Sequence, residues 1–172
     1  MRALRLAALV ALTLVVAGCY VHGSVGPTFS ALGGDPGHHS AGVELHSGSF
    51  VGDVGAGPSL RFKLGERLQQ IGAGPTGLLA IPGEWVVPYL YLGLELAQLT
   101  WVDGFFTFGS LSPWGQLGVA IYLPVEDDML YLTVSFGAEY AVRWTGAPPP
   151  ANDVYVSGQV GLGLFTWGRP DR

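Results

Sequence analysis

The chain has 172 residues and a formal net charge of −5; 49% of its residues are hydrophobic and only 12% are charged. Soluble domains carry about 25% charged residues, so this composition argues against an ordinary water-facing surface and for one that faces lipid. A single cysteine, Cys19, excludes a disulfide framework or a thiolate metal site within one chain, and no basic patch with interleaved aromatics points to nucleic acid.

The first residues read as a secretory signal. Arg2 and Arg5 precede an apolar run over residues 6–17, too short to span a membrane as a helix and built like a signal peptide. The run ends in Val16-Ala17-Gly18-Cys19, which resembles the lipobox of bacterial lipoproteins. That resemblance implies a signal over residues 1–18, acylation at Cys19 (palmitate among the chains) and a mature domain over 19–172. Plain cleavage after Ala17 or Gly18 also fits the small-residue requirement. Tyr20 after the cysteine implies no inner-membrane retention, so the bacterial outer membrane is the expected destination. The mature part keeps six basic residues against all thirteen acids, a net charge of −7.

From there the chain alternates with period 2, the mark of β-strands with two unlike faces. Residues 20–32 set Val21, Val25, Phe29 and Ala31 against His22, Ser24, Gly26, Thr28 and Ser30. Pro27 removes a ladder donor and predicts a bulge or a locally free amide there. Residues 33–39 are turn chemistry. The segment 40–49 opposes Ala41, Val43 and Leu45 to Gly42, Glu44, His46 and Gly48, and 55–65 opposes Ala56, Leu60, Phe62 and Leu64 to Gly57, Ser59, Arg61 and Lys63. A short turn at 51–54 joins them. Gly72, Gly74, Pro75 and Gly77 predict a loop over 66–75 and only a short strand near 76–81.

Residues 85–101 read as one strand, with Leu90, Leu92, Leu94 and Leu96 opposite Tyr89, Tyr91, Gly93, Glu95 and Ala97. The aromatic stretch 102–110 is a loop or the tips of two strands. Residues 111–123 oppose Leu117, Val119 and Ile121 to Trp114, Gln116, Gly118 and Ala120. The clearest pattern is 128–144, with Leu130, Leu132, Val134, Phe136, Ala138, Tyr140 and Val142 on one face. Tyr131, Thr133, Ser135, Gly137, Glu139, Ala141 and Arg143 lie on the other. A Pro-rich loop follows, then a last strand over 153–167.

Eight strands joined by hairpins, with short connections alternating with long ones, predict an all-β, antiparallel up-and-down β-barrel spanning a membrane. The polar faces hold Gly, Ser, Ala, Gln and Tyr with few charges, which suits a narrow lumen rather than water. A soluble lipid-anchored β-barrel is the alternative. Aromatics near strand ends (Trp85, Trp101, Phe105, Phe106, Trp114, Trp144, Phe165 and Trp167) read as interfacial girdles. The chain resembles the small eight-stranded outer-membrane barrels: the OmpA-type transmembrane domain and the OmpW and OmpX families. Its 162–167 run, L-G-L-F-T-W, is similar to the aromatic-ended last strand that the barrel-assembly machinery recognises, although five residues follow it here.

Parity sends Glu44, His46, Arg61, Lys63, Glu95, Glu139 and Arg143 into the lumen, where charges must be paired or cost several kcal/mol each, on the order of the buried-ion penalty. They read as a packing network that closes the lumen, ahead of an ion or proton path. All four histidines (His22, His38, His39 and His46) lie in the first 46 residues, which argues against a late Ser–His hydrolase arrangement; no catalytic residue, metal site or cofactor is assigned. Adjacent His38 and His39, and the acids Glu126, Asp127 and Asp128, read as solvated turns. Trp101, Phe105, Phe106 and Phe108 are the candidate mouth or interface residues. The expected function is a non-enzymatic structural or envelope-interaction role, as a monomer. Outer-membrane lipid and lipopolysaccharide are its expected partners. Binding or transport of small hydrophobic molecules at the barrel mouth is the alternative.

Overall fold

The computed structural model describes residues 19–31, 39–65, 68–102, 105–108, 111–124, 130–142 and 152–165. The candidate signal peptide, Arg143, Trp144, Trp167, His38 and the acids 126–128 lie outside them. Ten strands make one antiparallel sheet. They are β1 (Cys19–Ser30), β2 (His39–Val51), β3 (Val54–Gly65), β4 (Leu68–Ala80), β5 (Val86–Glu95), β6 (Ala97–Val102), β7 (Phe105–Phe108), β8 (Ser112–Tyr122), β9 (Leu130–Val142) and β10 (Asn152–Leu164).

β1 pairs with both β2 and β10, and β3 with β4, so the sheet closes on itself. Eight staves form the wall, because β6 continues β5 along the edge of β4. Following paired residues once around fixes the stagger. Cys19 leads to Ser49, Ala56, Gly77, Leu92, Gly115, Ala138 and Val156, and the path returns to β1 at Phe29, ten residues along. Closure at such a shear tilts the strands and leaves a lumen just wide enough for side chains. Full closure also leaves no open edge along these eight staves, as an apolar surround requires.

The polarity is that of a protein turned inside out. Phe136 and Leu117 are 73% and 64% exposed, and Val25, Leu45, Leu64, Leu92, Val160 and Leu162 are exposed with them, while Glu44, Glu95, Glu139 and Lys63 are buried. An apolar outer belt of this kind suits hydrocarbon.

The structure departs from the sequence patterning in three places. β4 is a full strand of 13 residues in place of the predicted loop and short strand, and only residues 66–67 separate it from β3. Gly72 and Gly74 are lumen positions: a Cβ at Gly72 would fall on the Glu95 carboxylate and one at Gly74 on the Leu94 carbonyl. They make room for neighbours and do not break the strand. Pro75 sits opposite Pro58 without loss of register.

The strand predicted over 85–101 is split by a bulge. The Leu96 amide donates to the Ala73 carbonyl at 3.0 Å while Ala97 is the register partner of the same Ala73, so two residues oppose one. Ala97 therefore turns outward and is exposed, against its predicted lumen position, and Gln98 turns inward.

The aromatic stretch forms strand tips, with β7 pairing Leu99–Val102 of β6. Pro27 brings no bulge. It stays in register with Ala41, and the β1–β10 ladder is only interrupted between Val25–Val160 and Thr28–Ser157.

At that interruption the backbones come so close that a Cβ on Gly26 would overlap the Gly158 carbonyl oxygen, whereas one on Gly158 points outward at 3.6 Å from Phe136. Overpacking costs about 1–3 kcal/mol. In urea titrations of the vesicle-inserted barrel, Gly26→Ala is expected to lower the unfolding free energy by that amount, and Gly158→Ala to leave it within about 0.5 kcal/mol of the parent.

Candidate functional site: a closed, layered lumen

The interior is filled in layers. At the end where β1 begins, Tyr20, Tyr89, Tyr91, Tyr131, Val87, Ala80 and Phe165 form one buried aromatic cluster. Tyr20 stacks on Phe165 (6.2 Å between centroids) and contacts Phe50 at 5.1 Å. Phe165 and Trp114 belong to this interior, 2% and 4% exposed, and not to the predicted girdle. Both hold lumen parity on their strands, which decides their direction ahead of their nearness to a strand end.

Above the floor sit His22 and His46, register partners on β1 and β2. Their rings stack on each other at 5.7 Å and on Tyr91 at 5.6 and 4.5 Å. His22 Nε2 is 2.8 Å from Thr133 Oγ1 on β9.

The ion layer lies beyond. Arg61, rising from β3, reaches three other strands. Its Nε and Nη2 donate to Glu44 Oε1 at 3.1 and 2.8 Å. Its Nη1 donates to Glu95 Oε1 at 3.1 Å and to Glu139 Oε2 at 2.7 Å. Lys63 donates to Glu139 Oε1 at 2.6 Å. Gln116 and His46 take Glu44 Oε2, at 3.1 and 3.4 Å. Gln98 and Gln70 donate to Glu95 Oε2 at 3.0 and 3.4 Å. All six carboxylate oxygens thus have a donor. The two cations also lie on aromatic faces, Arg61 on Trp114 at 4.6 Å and Lys63 on Tyr155 at 4.0 Å, a further favourable contact for a desolvated cation.

Six of the seven charged or ionisable residues predicted for the lumen therefore meet in one network, and Arg143 lies outside the described residues. The three glutamines were not singled out from the sequence. Gln70 is hidden in the segment read as a loop, and Gln98 faces inward only because of the bulge. Gln116 stands on the polar face of its strand, without a signal that it serves Glu44.

Trp101 and Phe106 pair across the β6–β7 hairpin with ring centroids 5.0 Å apart. They and Phe108 are exposed; Trp101 holds the outward parity of β6, and Phe106 and Phe108 are the β7 register partners of Trp101 and Leu99 on that same face, so these three rings do not line the mouth. Of Phe105 the structure describes the backbone alone.

Fold and interior together define a small membrane-type β-barrel with a filled lumen. No protein-family model matches the chain, and no curated protein matches it in sequence. Solved structures do match its fold. Neisserial surface protein A superposes with a TM-score of 0.67 at 14% identity, covering 87% of this chain and 97% of that one. The N-terminal β-barrel domain of Pseudomonas aeruginosa OprF gives 0.54 at 13% identity, covering 86% and 97%. The outer-membrane enzyme PagL gives 0.46 at 12%, covering 84% and 98%. The chain has the eight-stranded fold of small outer-membrane barrels.

Removing Arg61 would leave one oxygen of each of three buried carboxylates without a donor. Breaking a buried ion network from one side costs about 3–5 kcal/mol. Arg61→Met is expected to lower unfolding stability in vesicles by that order, whereas Gln70→Leu, which removes one 3.4 Å contact while Gln98 still serves the same oxygen, is expected to cost about 1 kcal/mol or less.

Proposed function

We propose that this protein is a non-enzymatic barrel of the bacterial outer membrane, anchored by a lipid on Cys19, with a structural or envelope-interaction role and no open channel. The observation that carries the reading is the Arg61 strut. One guanidinium binds carboxylates from β2, β5 and β9, so it crosses the lumen at its polar end, with the aromatic cluster closing the other. A hydrated ion that enters would have to break several charge-assisted bonds at once. The fold shared with Neisserial surface protein A and the OprF barrel supports an outer-membrane setting.

The exposed Trp101–Phe106 pair favours contact with the outer leaflet over closure of the mouth. Amphipathic rings at strand ends sit at the boundary between hydrocarbon and headgroups. Its contact partners in this reading are outer-membrane lipid and lipopolysaccharide, reached by a monomer inserted by the barrel-assembly machinery. Binding of small hydrophobic molecules at the mouth finds no such support, because the rings read as its lining point outward.

Three measurements test the proposal. In planar bilayers the purified barrel is expected to show no steady single-channel conductance; stable ohmic openings would refute the closed lumen. Folded and boiled samples are expected to migrate differently on a gel. In cells, labelled palmitate is expected to enter the wild-type chain and not Cys19→Ser, and labelling of both or neither would refute the anchor.

A further inference from the structure

Close backbone approach explains some glycines of the wall and not others. A Cβ on Gly57 would overlap the Ser47 carbonyl oxygen, as one on Gly26 would overlap that of Gly158. Gly77 on β4 is different. It holds outward parity, between the buried Thr76 and Leu78, and a Cβ there would meet nothing nearer than 3.9 Å. The fold leaves room at Gly77 for a side chain that the sequence does not supply.

Gly77 belongs to a row of short residues. Cys19 at the start of β1 is the register partner of Ser49, Ser49 of Ala56, Ala56 of Gly77 and Gly77 of Leu92. Ser49 and Ala56 are exposed, so the row runs along the outside of the wall and stops against the exposed Leu92 on β5. Taller side chains border it. On one side stand Val51, Val54 and Leu79, register partners in turn and all exposed, Val51 at 86%. On the other, past Ser47, Pro58 and Pro75, stand Leu45 and Leu60. Together they make a shallow apolar trough.

Closure sets its direction. One circuit of the wall returns to β1 ten residues beyond Cys19, so the row climbs from the aromatic-floor end into the apolar belt as it crosses β2, β3 and β4. At about 4.8 Å between strands, the four steps from Cys19 to Leu92 span about 19 Å. On an inclined path that is on the order of one leaflet of a roughly 30 Å hydrocarbon core.

The head of the trough is polar. Ser47 and Ser49 hold outward parity on β2, and every other serine or threonine described on the eight staves holds lumen parity. A hydroxyl facing hydrocarbon is costly without a partner, and it can donate to an ester or amide carbonyl. Ser49 stands opposite Cys19.

We propose that this trough seats an acyl chain carried on Cys19. The serines take its polar linkage, Ala56 and Gly77 make room for the hydrocarbon, and Leu92 closes the far end. The seat rests on the proposed acylation of Cys19. A tethered chain is held at high effective concentration, so modest dispersion contacts with a closely approached wall suffice to hold it there.

A diazirine-bearing palmitate analogue fed to cells supplies the probe. After irradiation of the membranes, the Cys19 peptide is expected to be joined through the label to peptides of β3 and β4 of the same chain, and not to those of β8 and β9. Gly77→Leu fills the trough and is expected to abolish these links while Cys19 still takes up label. Ala56→Leu is expected to do the same, and Ala138→Leu, on the far wall, to leave the links intact. Links spread evenly round the wall, links that survive both filling variants, or trough peptides joined to free phospholipid in place of the Cys19 peptide would overturn the seat. If one filling variant does not fold, the other and the wild-type map decide. The mass of the Cys19 peptide before irradiation reads acylation by itself: an unmodified Cys19 would overturn anchor and seat together, whereas an acylated Cys19 without trough links would overturn the seat alone.

Discussion

The interior of this barrel depends on one arginine. Arg61 stands on β3 and holds Glu44, Glu95 and Glu139 on three other staves. In water each of these bonds would be worth little. Inside a closed wall the balance differs, because every charge removed from solvent must find a counter-charge and fill its remaining hydrogen bonds. The protein meets this with glutamines, which add donors without adding charge, and with aromatic faces under both cations. The result is a polar core whose members hold one another in place. A one-residue slip of β2, β3, β5 or β9 would turn its charged group from the lumen to the outer belt, so the network also fixes register there.

That constraint explains much of the backbone. The Glu95 carboxylate needs space, and Gly72 on β4 provides it, while Gly74 lets the neighbouring Leu94 carbonyl approach. The Leu96–Ala97 bulge turns Gln98 inward, where it donates to the same carboxylate. A glycine-rich strand and an extra residue, each of which looks like a defect in sequence, are both consequences of placing one buried carboxylate. The aromatic floor solves a different problem. Tyr20, Tyr89, Tyr91, Tyr131 and Phe165 fill the other end with large rings.

This division also explains what could be read from the sequence. Strand faces were legible wherever period 2 ran unbroken, as in β9, because burial on one side enforces alternation. The charged lumen residues followed from parity alone. What was not legible depends on neighbours distant in sequence. The glycines of β4 look like loop residues until Glu95 is placed beside them. The bulge at Ala97 leaves a faint local mark, a change of parity from Leu94 and Leu96 to Leu99 and Trp101, which reading 85–101 as one strand passes over. Trp114 and Phe165 lie near strand ends, as girdle residues do, and only their parity in a closed barrel shows that they plug it. The long external connections predicted after β1 and β9 fall on residues outside the described set, whereas the one predicted after β3 shrinks to two residues.

The partition of charge bears on function more directly than the fold does. The same eight-stranded wall serves unlike proteins, and a fold alone does not assign a role. A conducting or catalytic barrel needs a reactive or mobile group exposed to a cavity. Here the ionisable side chains of the lumen are neither: each carboxylate oxygen already has a donor, and Arg61 is held at three corners. Freeing Glu139 as a base, for instance, would mean parting it from both Lys63 and Arg61 in a medium where unpaired charge is costly. Chemistry at this site is opposed by the interactions that hold the barrel together. In the proposed role, contacts with the envelope fall to the outside of the molecule, where Trp101 and Phe106 are exposed.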